Sequence, residues 1–256
     1  MQLKWLQVDY GTTNETLKEL NISALWRTDD GFIKKGQGQN KLLSMTKSPS
    51  QMNSLRFFPS GKRNCYEFPV TLKYMYLLRA GFYYVVTNTS EEPFFHEVLY
   101  TAMREKVKVC LVRSIKGMVP FISSLQCIYV DYNVYDEMTD NKTAFYLRHR
   151  IRFGSDKQFG DLNCPDDDLY NRFWSPRSIP NYHNVTSAFP PNGMSRYIDP
   201  PFEVLSYAIE TKNVTSSIYI PIDFPSTSPL SAYIVLYFSS ILTRPIENGR
   251  TVQSQL

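Results

Sequence analysis

From Lys106 to Leu111 apolar and polar side chains alternate one for one, with Val107, Val109 and Leu111 set against Lys106, Lys108 and Cys110. A period of two belongs to a strand with one buried and one wet face, so this stretch predicts a member of an antiparallel sheet. Residues 65–72, 74–86 and 120–130 are also rich in β-branched and aromatic side chains between turn residues, and they predict further strands. The 74–86 run is apolar in both phases, which places it at the centre of a sandwich with both faces covered. Tyr83, Tyr84, Val85 and Val86 in succession disfavour a helix there.

Before these strands, residues 11–59 read as a loop-rich entry, with Asp29-Asp30-Gly31 and Gly36-Gln37-Gly38 as turns. A polar stretch over 131–142 closes the first block. A second loop-rich entry over 175–201 precedes predicted strands at 203–211, 217–222 and 232–240. Residues 233–238, Tyr-Ile-Val-Leu-Tyr-Phe, are apolar on both faces and predict a buried strand. The order of loops then strands thus occurs twice: module 1 over 1–132, a connecting segment over 133–165, and module 2 over 166–256. The second module is expected to be incomplete, because the strands that would cover 233–238 do not follow it.

Composition sharpens the all-β expectation. The chain holds 18 Tyr, 16 Phe and 3 Trp, residues that suit a pleated, half-buried surface, while 16 Pro argue against long helices. The net charge of +4 is spread without a Lys/Arg-rich run, so no nucleic-acid footprint is predicted. Cys65, Cys110, Cys127 and Cys164 form no CxxC pair and no Cys/His metal spacing, which predicts no metal site. Four cysteines allow three complete pairings. In an oxidising compartment Cys65 with Cys110 is the first candidate pair, since each falls in a predicted strand of the first block.

Sequons at Asn14, Asn21, Asn88, Asn141, Asn184 and Asn213 outnumber the roughly two or three that composition gives by chance, which favours secretion. Residues 1–10 lack the apolar core of a signal peptide, and no apolar run reaches the ~20 residues that span a bilayer. His96, His149 and His183 match no HExxH spacing, and no GxSxG, P-loop or kinase signature occurs, so no catalytic residue and no cofactor are predicted. The Asp166-Asp167-Asp168 run reads as an acidic turn rather than a calcium loop. A sugar needs aromatic faces with carboxylates nearby. Trp26 beside Asp29 and Asp30, and the Tyr83-Tyr84 pair, supply that composition.

The wording of the chain carries a family resemblance. Leu55 to Tyr66 (LRFFPSGKRNCY) with Leu77 to Tyr84 (LLRAGFYY) is similar to the "LR.FP.G.RNCY" and "YLIRA.F.YG" segments of the malectin-like region of plant receptor kinases. Val109-Cys110-Leu111-Val112 and Pro120 to Leu125 resemble its "VCLVN … PFISALEL" strands, and Pro165 to Trp174 its "YPDDxYDRxW" connection. The resemblance implies tandem jelly-roll-like β-sandwiches with ligand sites on strand-end loops. It implies a non-catalytic module at the extracellular face of the plasma membrane, here without a kinase. The partners it implies are a cell-wall glycan, or a secreted peptide with a co-receptor; a non-functional fragment and a β-sandwich glycoside hydrolase are the remaining readings. Three departures stand out: Tyr10 replaces a Cys of the family's "IDCG" segment, a "FDLYLG.N.W" segment expected between Phe94 and Val98 is missing, and module 2 stops before its closing strands.

Overall fold

A computed structural model describes residues 5–9, 26–34, 38–43, 52–83, 93–135, 144–158, 168, 170–187, 200–213, 215–222 and 232–238. The chain divides into two compact units, Met1–Arg148 and His149–Leu256. The division falls within the stretch 133–165.

In the first unit the strands are β1 (Trp5–Asp9), β2 (Trp26–Thr28), β3 (Gln39–Leu42), β4 (Ser54–Phe57), β5 (Arg63–Pro69), β6 (Met75–Phe82), β7 (Phe94–Thr101), β8 (Lys106–Val112), β9 (Phe121–Ile122), β10 (Ser124–Val130) and β11 (Ala144–Tyr146). Six of them make one sheet in the order β11-β7-β6-β10-β1-β2, while β3-β4-β9 and β5-β8 form two smaller ones. The pairing is antiparallel except between β1 and β2. An apolar cluster fills the space between the layers: Leu6 and Val8 of β1, Leu125 and Cys127 of β10 and Tyr76 of β6 meet Tyr66 and Phe68 of β5, Val107 of β8 and Ile122 of β9. This is an all-β, sandwich-type layout; β5 buries every second residue, and β8 begins with the alternation that its sequence announced.

The chain passes between layers at Ser123. Its N–H donates to the Gly81 carbonyl at 2.9 Å, and its hydroxyl bonds the backbone of Tyr83. The single strand expected over 120–130 is therefore two, β9 in one layer and β10 in the other.

The large sheet is buried on its second face as well. There the register sets Glu97, Arg79, Gln126, Gln7 and Trp26 side by side across β7, β6, β10, β1 and β2, all below a tenth exposed. Arg79 Nε donates to Glu97 Oε1 at 2.8 Å and Arg79 Nη1 to Gln126 Oε1 at 2.9 Å. Ion pairing and hydrogen bonding make such a buried guanidinium tolerable.

The second unit, among the described residues, has two short ladders: β12 (Ile151–Phe153) with β13 (Ser175–Arg177), parallel, and β14 (His183–Thr186) with β15 (Tyr207–Glu210), antiparallel. One turn of helix, α1 (Phe202–Leu205), precedes β15, so the strand expected over 203–211 begins later than its pattern indicated. The expectation for 217–222 and 232–240 is corrected. Their described residues form no strand, and Ile234, Val235, Leu236, Tyr237 and Phe238 are exposed rather than buried. Strand-forming side chains alone do not make a strand; a neighbouring edge to pair with is also required.

Candidate ligand-binding shelf

The strand phase of β6 decides which aromatics reach solvent. Tyr76, Leu78, Ala80 and Phe82 share the face that carries the apolar cluster. The register continues that face onto β7 through Phe94, opposite Phe82, and His96, opposite Ala80. It then reaches β11 through Tyr146, opposite Val98. The apolar cluster takes only Tyr100 from β7, as a partly buried member, so beyond it this face emerges from the sandwich.

The result is an aromatic shelf. Phe94 and Tyr146 are each 62% exposed. Phe82 lies 6.4 Å from Phe94 between ring centres and packs its edge against Phe121 at 6.0 Å, while His96 and Tyr146 stand 5.8 Å apart. Phe82–Phe94 and His96–Tyr146 are tilted pairs, and in each the outer ring, Phe94 or Tyr146, is largely exposed.

Among the described residues, the acidic side chain next to the shelf in sequence is committed elsewhere. Glu97 follows His96 but points to the opposite face and holds Arg79. No set of three or more His, Cys, Asp or Glu side chains capable of holding a metal occurs among the described residues. The shelf can therefore stack against a flat or C–H-rich surface and offer one imidazole and one phenol for hydrogen bonds.

The residues nominated from sequence lie elsewhere. Trp26 is buried at the end of the polar row on the second face of the sheet. Asp29 is 1% exposed; it accepts from Arg56 Nε and, at 2.6 Å, from Arg56 Nη2. Tyr66 lies in the same buried neighbourhood, and desolvation, followed by the Asp29 charge, pushes its phenol upward. Tyr83 is 4% exposed, its N–H held by Ser123. Trp26, Asp29 and Tyr83 therefore serve packing and offer no surface to a ligand. Tyr84 lies outside the described residues, as do Asn14, Asn21, Asn88 and Asn141. Asn184 on β14 and Asn213 after β15 are exposed. Cys65 and Cys110, opposite each other on β5 and β8, form a disulfide, and Cys127 is a buried thiol whose pKa desolvation pushes up to about 12.

Sequence reasoning missed Phe82, Phe94, His96, Phe121 and Tyr146. The signal was one residue away: Phe82 has the opposite phase to Tyr83, and that phase sets it on the face that runs on through Phe94 and His96 of β7.

Residues 8–92 and 85–253 match the family model of the malectin-like domain. The chain belongs to the malectin-like domain family. Over 96% of its length it is 26% identical to an uncharacterized protein of Arabidopsis thaliana, of which it covers 52%. Over 78% it is 28% identical to an Arabidopsis protein named as a leucine-rich repeat receptor-like serine/threonine-protein kinase, of which it covers 25%. The malectin-like chain thus spans about half or less of these relatives. Among solved structures it resembles the ANXUR1 extracellular domain of Arabidopsis, with a TM-score of 0.58, 14% identity, and coverage of 79% of this chain and 66% of that one. It also resembles a chain in the structure of the plant peptide RALF23 in complex with FER and LLG2, with a TM-score of 0.56, 15% identity, and coverage of 81% and 65%. The malectin-like fold here is that of receptor-kinase ectodomains, and none of the described helices is long and apolar enough to cross a membrane.

Proposed function

We propose that this malectin-like chain is a non-catalytic extracellular recognition module that takes a carbohydrate on the shelf of Phe82, Phe94, His96 and Tyr146. The exposed, stacked aromatic surface carries this reading: it suits the C–H face of a pyranose, with His96 and Tyr146 as hydrogen-bonding partners for hydroxyls. Modules over 1–132 and 166–256, joined by 133–165, remain the organisation we assign. The Cys65–Cys110 disulfide and the exposed sequons at Asn184 and Asn213 support a secreted setting. Titration calorimetry against cell-wall oligosaccharides tests the reading. Binding weakened about tenfold or more by Phe94→Ala or Tyr146→Ala is expected; no binding at millimolar sugar, or binding indifferent to both substitutions, overturns it.

A second reading, a secreted peptide ligand with a co-receptor, is favoured by the neighbour whose structure contains RALF23 and LLG2. Capture of a defined peptide, undisturbed by competing sugars, would select it.

A further inference from the structure

A different end of the first unit carries an unusual surface. The β8–β9 connection turns at Gly117, whose φ is +90° and around whose missing side chain nothing lies within 4 Å. The turn is closed by the Met118 N–H donating to the Ile115 carbonyl at 3.3 Å. Val112, Ile115, Met118 and Val119 stand 51%, 59%, 61% and 44% exposed around it. Four aliphatic side chains within eight residues, at the tip of a loop, form a patch rather than the scattered exposure ordinary for a surface.

Arg113 fixes the loop. Its Nη2 donates to the carbonyls of Phe58 and Pro59 at 3.0 and 2.6 Å, and its N–H donates to the Lys62 carbonyl at 3.0 Å. The exposed Lys62 and Arg63 thereby lie beside Arg113 and Val112, and the loop itself carries the exposed Lys116. Residues 58–64 and 111–122 hold no Asp or Glu. The loop and the segment it is bonded to thus combine exposed aliphatic side chains with exposed cations and carry no acidic residue of their own.

Protein interfaces are anchored chiefly by aromatic and Arg side chains seated in pockets, whereas the exposed apolar side chains of this loop are all aliphatic. Aliphatic side chains that enter an acyl boundary while flanking lysines stay at the headgroups are the pattern of interfacial membrane attachment. We propose that the β8–β9 loop docks on an anionic bilayer surface, with Ile115 and Met118 entering it and Lys62, Arg63 and Lys116 contacting lipid phosphates.

The test is sedimentation of the full chain with vesicles of phosphatidylcholine alone and of phosphatidylcholine mixed with phosphatidylserine. Binding to the mixed vesicles that falls as salt rises is expected, with little on the neutral ones. Ile115→Ser with Met118→Ser, and separately Lys62→Glu with Lys116→Glu, should each weaken it about tenfold or more. All four positions are exposed, so the fold should survive, and the two variants test the apolar and the charged halves independently. The proposal is overturned if the wild type stays in the supernatant, or if both variants bind as it does. Capture of an acidic polypeptide without vesicle binding would overturn it in favour of a protein partner.

Discussion

The two units of this chain are stabilised by different means. In the first, β6 pairs along all eight of its residues with β7 and nearly as far with β10, and an apolar cluster fills the gap between layers. Among the described residues of the second, the ladders are three and four residues long, and charged side chains pack on its aromatic rings. The Trp174 ring lies 5.8 Å from the Arg150 guanidinium and 5.6 Å from that of Arg172, while Arg152 sits 4.5 Å over Tyr207. Asp168 accepts from the N–H groups of Tyr170 and Arg172 and from Arg172 Nε. Meanwhile Ile234 to Phe238, the most apolar stretch in this half, are exposed. Hydrophobicity read from sequence and burial in structure can therefore part company where no long ladder organises the strands.

The contrast can be broken most sharply at Phe58, which is fully buried in the apolar cluster. Phe58→Ala should cost about 3–5 kcal/mol in urea unfolding of the first unit, and a loss below about 1 kcal/mol would show that the cluster is not what holds it. Next in size is the cross-link. Cys65→Ser with Cys110→Ser should lower the same transition by about 2–4 kcal/mol, because 45 residues of sequence separate the two half-cystines. In the second unit, Arg152→Leu removes a buried cation over Tyr207 and should cost about 1–2 kcal/mol in thermal unfolding; an unchanged melt would return that unit to ordinary apolar packing.

The smallest effect separates the regions by pH. The folded chain keeps the Cys127 proton up to about 12, whereas the unfolded chain releases it near the ordinary thiol value of 9.0. The folded state then binds more protons, so stability falls as pH rises from 9 towards 12, and the raised Tyr66 phenol adds to the fall above its usual value of 10.0. Native Cys127 should resist iodoacetamide at pH 9, as read by peptide mass spectrometry; rapid labelling without unfolding would contradict its burial.

Much of the first unit was legible. The 65–72, 74–86 and 107–113 patterns lie over β5, β6 and β8 with shifts of a few residues: alternation marked β8, and apolar residues in both phases marked β6, which is covered on both faces. Strand β7 was not legible, because Phe94-Phe95 and Val98-Leu99-Tyr100 are apolar in both phases around His96-Glu97. Both of its faces are used: Glu97 is buried in an ion pair on one side and His96 is exposed on the other, so polarity there does not report orientation. The short strands β2 to β4 sit in the 11–59 stretch read as loops, and β1 lies just before it; local pattern there is weak and several pairing partners are distant in sequence. The shelf was hidden for the same reason, since its five aromatic side chains come together only when β6, β7, β9 and β11 are placed.

The polar row through Glu97, Arg79, Gln126 and Gln7 has a further consequence for the large sheet. Sliding β6 by one residue would drive the Arg79 guanidinium among the aromatic and aliphatic side chains of the sandwich and leave Glu97 alone in a dry layer. The row therefore acts as a keyway: it adds little to the strength of the assembly, but it admits the strands in one alignment and rejects the next.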